Sequence, residues 1–187
     1  MVATCVLCAC MALPTRAQSS DPSNSSEYLI KAGFVYNFAK LTDWPAPAFS
    51  QPNSPIVIGI VGDTDPFRGT LDDVLHGKQA NGRDFVVKHL RWKDDLRGCN
   101  ILFISASARP HLSDILHAIH GLPILTMGDT PGFAEQGGII NFVLDDNRVR
   151  FDIDVEAAKQ ANLSISSRVL ALARIVPEAG SDGRKSP

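Results

Sequence analysis

The chain has 187 residues, 44% hydrophobic and 20% charged, with a formal charge of −2 at pH 7. That length holds one domain with a sizeable core, and the composition is that of a globular protein rather than a disordered chain or a membrane bundle. The slightly acidic balance does not recruit nucleic acid by bulk charge.

Val2 to Leu13 is an almost unbroken run of small and apolar residues, followed by Pro14-Thr15-Arg16-Ala17 and then by polar Gln18-Ser19-Ser20. This is the shape of a cleavable export signal. Thr15 and Ala17 supply the small side chains that a signal peptidase needs at −3 and −1, so cleavage is expected after Ala17. No Lys or Arg precedes the run, which is shorter than the ~20 residues that cross a bilayer as a helix. A retained anchor is therefore not expected. Leu7-Cys8-Ala9-Cys10 loosely resembles a lipobox with Cys10 as the lipidated residue, but the apolar stretch before it is too short. Losing Arg16 with residues 1–17 takes the 18 basic residues to 17 against 20 acidic ones, a mature charge of −3. It also removes Cys5, Cys8 and Cys10, leaving Cys99 alone. No internal disulfide framework is then available, and Cys99 reads as a half-buried small hydrophobe at the mouth of a strand, with a redox or intermolecular thiol as the other reading.

Residues 18–26, rich in Ser, Asn, Asp and Pro, read as a flexible lead-in to the domain at 27–176. From Glu27 to Leu41, apolar residues at Ile30, Phe34, Phe38 and Leu41, widened by Tyr28 and Val35, recur at helical spacing. Pro45 forces an end by Trp44. The β-branched run Ile56 to Val61, closed by Gly62-Asp63, reads as a strand buried on both faces. Similar runs follow at Phe85 to Leu90, Ile101 to Ser105 and Pro123 to Met127, with helical stretches at about 66–76 and 109–120. Strands alternating with helices imply right-handed crossovers and a mainly parallel sheet. Ile139 to Leu144 then turns through Asp145-Asp146-Asn147 into the alternating strand Arg148 to Ile153, a hairpin with one wet face. Asp154 caps a helix to about Asn162, and Ser164 or Ser166 caps another to Ile175. Residues from Pro177 on read as a disordered tail. The expected fold is a single α/β domain: a mixed, mostly parallel sheet flanked by helices, ending in an antiparallel hairpin.

Chemistry-bearing patterns are sparse. The loop Gly62-Asp63-Thr64-Asp65-Pro66-Phe67 follows a strand, where open α/β sheets bind ligands, but it has neither G-x-G-x-x-G nor a G-K-[ST] ending, and its aspartates would repel phosphate. Capping and turn roles are the simpler reading. His111, His117, His120 and Asp114 share the helix 109–120, yet they splay around it, so three metal ligands cannot converge there. Ser105 and Ser107 follow a strand without the glycines of a nucleophile elbow. No catalytic residue, metal or cofactor is assigned, and the expectation is a protein that is not an enzyme. The stretch Gly128 to Gly138 holds four glycines, Gly128, Gly132, Gly137 and Gly138, around Phe133. Phe133 is either a plug into the core or an exposed contact; Gly132, Phe133, Gly137 and Gly138 are the candidate partner-binding residues.

Several segments, in order, resemble the YfiR family of exported bacterial proteins: Lys31 to Lys40 with Trp44-Pro45, Ile58 to Gly62 with Asp65-Pro66-Phe67, Cys99 to Ser105, Gly132-Phe133-Ala134 with Gly137 to Ile140, and Arg148 to Ile153 with Ser166 to Leu170. The resemblance spans about 27–176. It implies a protein of the Gram-negative periplasm, and in the best-understood branch a repressor that holds an inner-membrane diguanylate cyclase inactive through its periplasmic sensor part, limiting cyclic di-GMP. Other members accompany sensor kinases or outer-membrane receptors. No catalytic residues are implied. Cys99 fits the family position before its strand but lacks the disulfide partner of the cyclase repressor, and Asp154 stands where Asn is more common. The expected function is a periplasmic regulator that binds the sensor part of an inner-membrane cyclase or kinase, with a homodimer as one possible form, with no nucleic acid and no membrane insertion. The alternative is a periplasmic small-molecule binder serving a kinase, receptor or transporter, its ligand at the strand ends near Gly62-Asp63 and Gly128-Asp129.

Overall fold

The computed structural model describes residues 22–176. The expected signal segment with its cleavage at Ala17, the start of the lead-in and the tail 177–187 lie outside the described residues. Helix α1, Pro22–Lys40, is followed by strands β1 (Thr42–Asp43) and β2 (Ile56–Val61), helix α2 (Thr70–Leu75), strands β3 (Gln79–Ala80), β4 (Arg83–Leu90) and β5 (Ile101–Ile104). A 3-10 turn at Ala106–His111 leads into α3 (Leu112–Ala118). Then come β6 (Leu125–Gly128), β7 (Ile140–Asp145), β8 (Arg148–Ile153), α4 (Val155–Gln160), β9 (Ser164–Ile165), α5 (Ser167–Leu170) and β10 (Arg174–Ile175).

Eight strands form one sheet in the order β10-β8-β7-β6-β5-β2-β4-β3. Pairings from β4 through β2, β5 and β6 to β7 are parallel, whereas β7–β8 and β3–β4 are antiparallel. The fold is thus the single α/β domain with a mixed, mostly parallel sheet and a C-terminal hairpin. Both faces of the central strands are covered, which is why they read as unbroken apolar runs. Ile56, Ile58 and Ile60 pack under α1 and α2, while Val61, Leu102 and Ile104 face α3 on the other side.

Several details differ from expectation. Helix α1 already includes residues 22–26, because proline is tolerated in a first helical turn. Its buried stripe runs through Ala32, Val35, Phe38 and Ala39, with Ile30 exposed; the two alanines let the helix sit close on the sheet. The C-terminal helix stops at Leu170 and the chain turns into β10, parallel to β8. That pairing buries Phe151, Asp152 and Ile153, so the second half of β8 has no wet face. Buried Asp152 is tolerated because Arg174 on β10 grips it through Nε at 2.8 Å and through Nη2. A separate two-strand ladder joins β1 to β9, Thr42 opposite Ile165.

Candidate functional site

The strand order reverses between β2 and β5: the chain leaves β2 toward β4, and β5 toward β6. The crevice between their carboxyl ends is where such sheets usually take a ligand. Here it is filled. The hydroxyls of Ser105 and Ser107 hydrogen-bond each other at 2.7 Å, and Ser107 accepts from the Asp63 backbone N–H at 3.0 Å. A Cβ placed on Gly62 would lie 2.1 Å from the Ser105 hydroxyl, so the glycine is there to admit the serines. Asp65 accepts from the N–H groups of Phe67 (2.8 Å) and Gly69 (3.0 Å), a turn role.

The second strand-end position, Gly128-Asp129, is occupied from within the chain. Lys31, only 4% exposed, reaches from α1 to place its ammonium 2.7 Å from Asp129 and 2.6 Å from Glu27. The Tyr28 hydroxyl donates to the same Asp129 oxygen at 2.6 Å. Burial, then the hydrogen bond to Asp129, then the charges of Asp129 and Glu27 push the phenol well above its ordinary range. The cluster clamps the start of α1 onto the end of β6. At both halves of the alternative ligand position, Gly62-Asp63 and Gly128-Asp129, the neighbouring polar side chains Ser105, Ser107, Lys31 and Tyr28 are engaged within the chain.

The glycine-rich loop is built around Phe133. Its side chain is 0% exposed and enters the core under α3, so of the two readings the structure takes the plug. Its ring lies between Gly128 and Gly138: a Cβ on the first would meet it at 2.7 Å, on the second at 2.0 Å. Gly138 is thus a space-making glycine, whereas Gly132 (φ +74°) and Gly137 (φ +95°) serve turns that side chains disfavour. Buried Asn141 at the start of β7 holds the loop from beneath. Its Oδ1 accepts from the Phe133 N–H at 3.1 Å, and its Nδ2 donates to the carbonyls of Thr130 (3.2 Å) and Phe142 (3.0 Å). The outer surface presents Pro131, Glu135, Gln136 and Gly137. A cleft of about 650 Å³ lies behind it, floored by Leu116, Ile119 and Ile124 and bounded by α4.

Of the remaining candidates, His117 and His120 are exposed beside that cleft, and His111 stacks on Trp92 with ring centroids 3.9 Å apart. Among the described residues, no three His, Cys, Asp or Glu side chains are grouped to hold a metal. Cys99 is a free, buried thiol raised in pKa by burial. Among the described residues no helix is long and apolar enough to cross a membrane. Sequence reading missed Asn141 and Lys31, and placed Asp129 beside a ligand rather than in a clamp with Lys31 and Tyr28. An Asn or Lys inside an apolar run is the signal that could have found the first two.

The parallel centre, the covered faces and the terminal hairpin define a wound α/β sheet with Ser105 and Ser107 packed over Gly62 in its carboxyl-end crevice. A family model described as YfiR/HmsC-like matches residues 28–174, and the chain belongs to that family. A conserved domain protein from Vibrio cholerae O1 biovar El Tor has a similar fold, with a TM-score of 0.52 at 14% identity over 78% of this chain. The chain spans 60% of that protein's length. Comparison with curated proteins finds no match.

Proposed function

We propose that this protein is a periplasmic regulator, not an enzyme, that binds the sensor part of an inner-membrane signalling protein, a diguanylate cyclase, and so restrains cyclic di-GMP synthesis. Membership of the YfiR/HmsC-like family supports a regulatory, periplasmic role. The observation that carries the contact surface is the preorganised loop: Asn141 and the Phe133 plug fix its backbone before any partner arrives. A rigid loop loses little entropy on docking. The partner-binding surface is then the outer side of Gly132 and Gly137 with Pro131 and Glu135, while Phe133 and Gly138 act as its support. A regulator of this kind acts by binding one of its partner's states more tightly than the other.

The test is a crosslinked pull-down with the mature chain from solubilised inner membrane. Retention of a cyclase or sensor kinase, lost with Pro131→Arg or Glu135→Arg at unchanged melting temperature, supports the reading. Retention that is indifferent to both variants moves the surface elsewhere, and a folded chain that retains no signalling protein removes the proposal.

A further inference from the structure

A second cavity, about 570 Å³, opens at the amino end of the sheet, where the first residues of β2 and β4, Ile56 and Arg83, meet the chain from Thr42 to Pro52. Its size suits one small molecule. Trp44 and Phe49 form an aromatic wall, their centroids 6.4 Å apart and their planes at 68°. The Arg83 guanidinium lies 3.7 Å from the Phe49 centroid. Its Nη1 donates to the Ser54 carbonyl at 2.6 Å and to that of Gln51 at 3.4 Å. No partner among the described residues takes its Nε and Nη2.

Two residues lining this cavity also carry a buried polar group that has no partner among the described residues: the Thr42 hydroxyl, on a residue 1% exposed, and the Trp44 indole N–H. Buried polar groups are nearly always hydrogen-bonded, so two orphans on residues of one cavity wall call for a cause. An indole N–H only donates, and a guanidinium only donates. What both lack is an acceptor, and the strongest acceptor for a guanidinium is a carboxylate. The flat apolar surfaces beside them suit a ring.

We propose that this cavity binds a small aromatic carboxylate. Its carboxylate accepts from Arg83 and from the Trp44 indole, which turns toward it on binding, and its ring lies against Phe49 and Trp44. Asp43, exposed on the rim, is the one lining group that opposes an anion. The site is at the other end of the strands from the crevice beside Gly62, and it uses no residue of the glycine-rich loop. Its outcome is therefore independent of the partner reading.

The chain has two tryptophans, so two indole N–H signals report the experiment, and Trp92→Phe assigns that of Trp44. Benzoate titrated to about 10 mM is expected to move the Trp44 signal saturably. Arg83→Gln is expected to weaken binding by about tenfold or more, the worth of a charged hydrogen bond. Asp43→Asn should tighten it, and benzylamine should not compete. A Trp44 signal that stays still, an Arg83→Gln affinity equal to the parent's, or equal binding of benzylamine overturns the site. If Arg83→Gln does not fold, Trp44→Phe, read from the benzoate signals by saturation transfer, replaces it: unchanged binding overturns the proposal.

Discussion

Gly138→Ala adds one methyl to a surface loop, and the structure makes it a core mutation. The new Cβ would lie 2.0, 2.3 and 2.5 Å from three atoms of the Phe133 ring. The ring cannot retreat, because Gly128 backs its other side, with a would-be Cβ 2.7 Å from the same ring. Overpacking a tight core costs about 1–3 kcal/mol. Expelling the ring altogether sets a ceiling of about 3–5 kcal/mol, the cost of truncating a buried Phe. With both sides blocked the loss belongs near 3 kcal/mol, read as a shift of the urea midpoint at constant slope. The discriminating measurement is the double variant. If steric conflict with the ring is the cause, Phe133→Ala leaves room for the methyl, and Gly138→Ala costs almost nothing in that background. A loss below about 1 kcal/mol in the parent, or additive losses in the double variant, refutes the space-making role of Gly138.

Lys31→Met leaves Asp129 and Glu27 without their cation, and breaking such a buried pair costs about 3–5 kcal/mol; partly exposed Glu27 can turn to water, which favours the lower figure, and a denaturation midpoint near the parent's would count against the clamp. Tyr28 holds its proton more tightly when folded than when unfolded, so its contribution is complete below the ordinary tyrosine pKa near 10 and is lost as pH rises toward the raised value. Stability against pH should accordingly fall more steeply above about pH 10 in the parent than in Tyr28→Phe, and parallel curves would contradict this. Burial raises the Cys99 thiol, against a smaller opposing effect of Lys88. Iodoacetamide labelling of the folded protein should therefore be slow at neutral pH, set in at higher pH than for a free cysteine, and become fast in urea; rapid native labelling at neutral pH would show the thiol to be open.

Strands buried on both faces were the most legible part of the fold. Ile56–Val61 and Arg148–Ile153 have the bounds expected from their residues, since a doubly covered strand must be apolar throughout and an alternating one announces its period. The two-residue strands β1, β9 and β10 were not legible, because their pairing is dictated by what lies beside them. Ile30 was misassigned since periodicity counts apolar residues without knowing that Ala32 and Ala39 bring the helix closest to the sheet. The direction of Phe133 stayed open because a loop has no period. In retrospect, glycines five residues before and after it mark the space its ring needs. The cavity at Trp44, Phe49 and Arg83 carries no local signature, as its parts come from two strand starts and the linker between them.

The two ends of the sheet have been put to different uses. At the carboxyl end, the serines over Gly62 and the Lys31 clamp on Asp129 spend polar groups that a nucleotide or substrate site would need, and each is satisfied within the chain. Such an end can offer shape and fixed backbone, as the loop at Thr130–Gly138 does, but few free polar groups. At the amino end the balance is reversed: Thr42 and Trp44 have polar groups with no partner among the described residues. Thr42 also pairs with Ile165 on β9, and the Ser166 N–H donates to the Leu41 carbonyl at 2.8 Å. Anything that reorders Thr42–Trp44 therefore acts on the junction that ties the end of α1 to the C-terminal segment and its exposed Leu172, which is 75% accessible. A small acid bound at the amino end would bias that junction without touching the glycine-rich loop. Such coupling demands that hydrogen exchange slow at Ser164–Leu170 when the Trp44 cavity is filled; protection confined to the cavity walls would leave the two ends uncoupled.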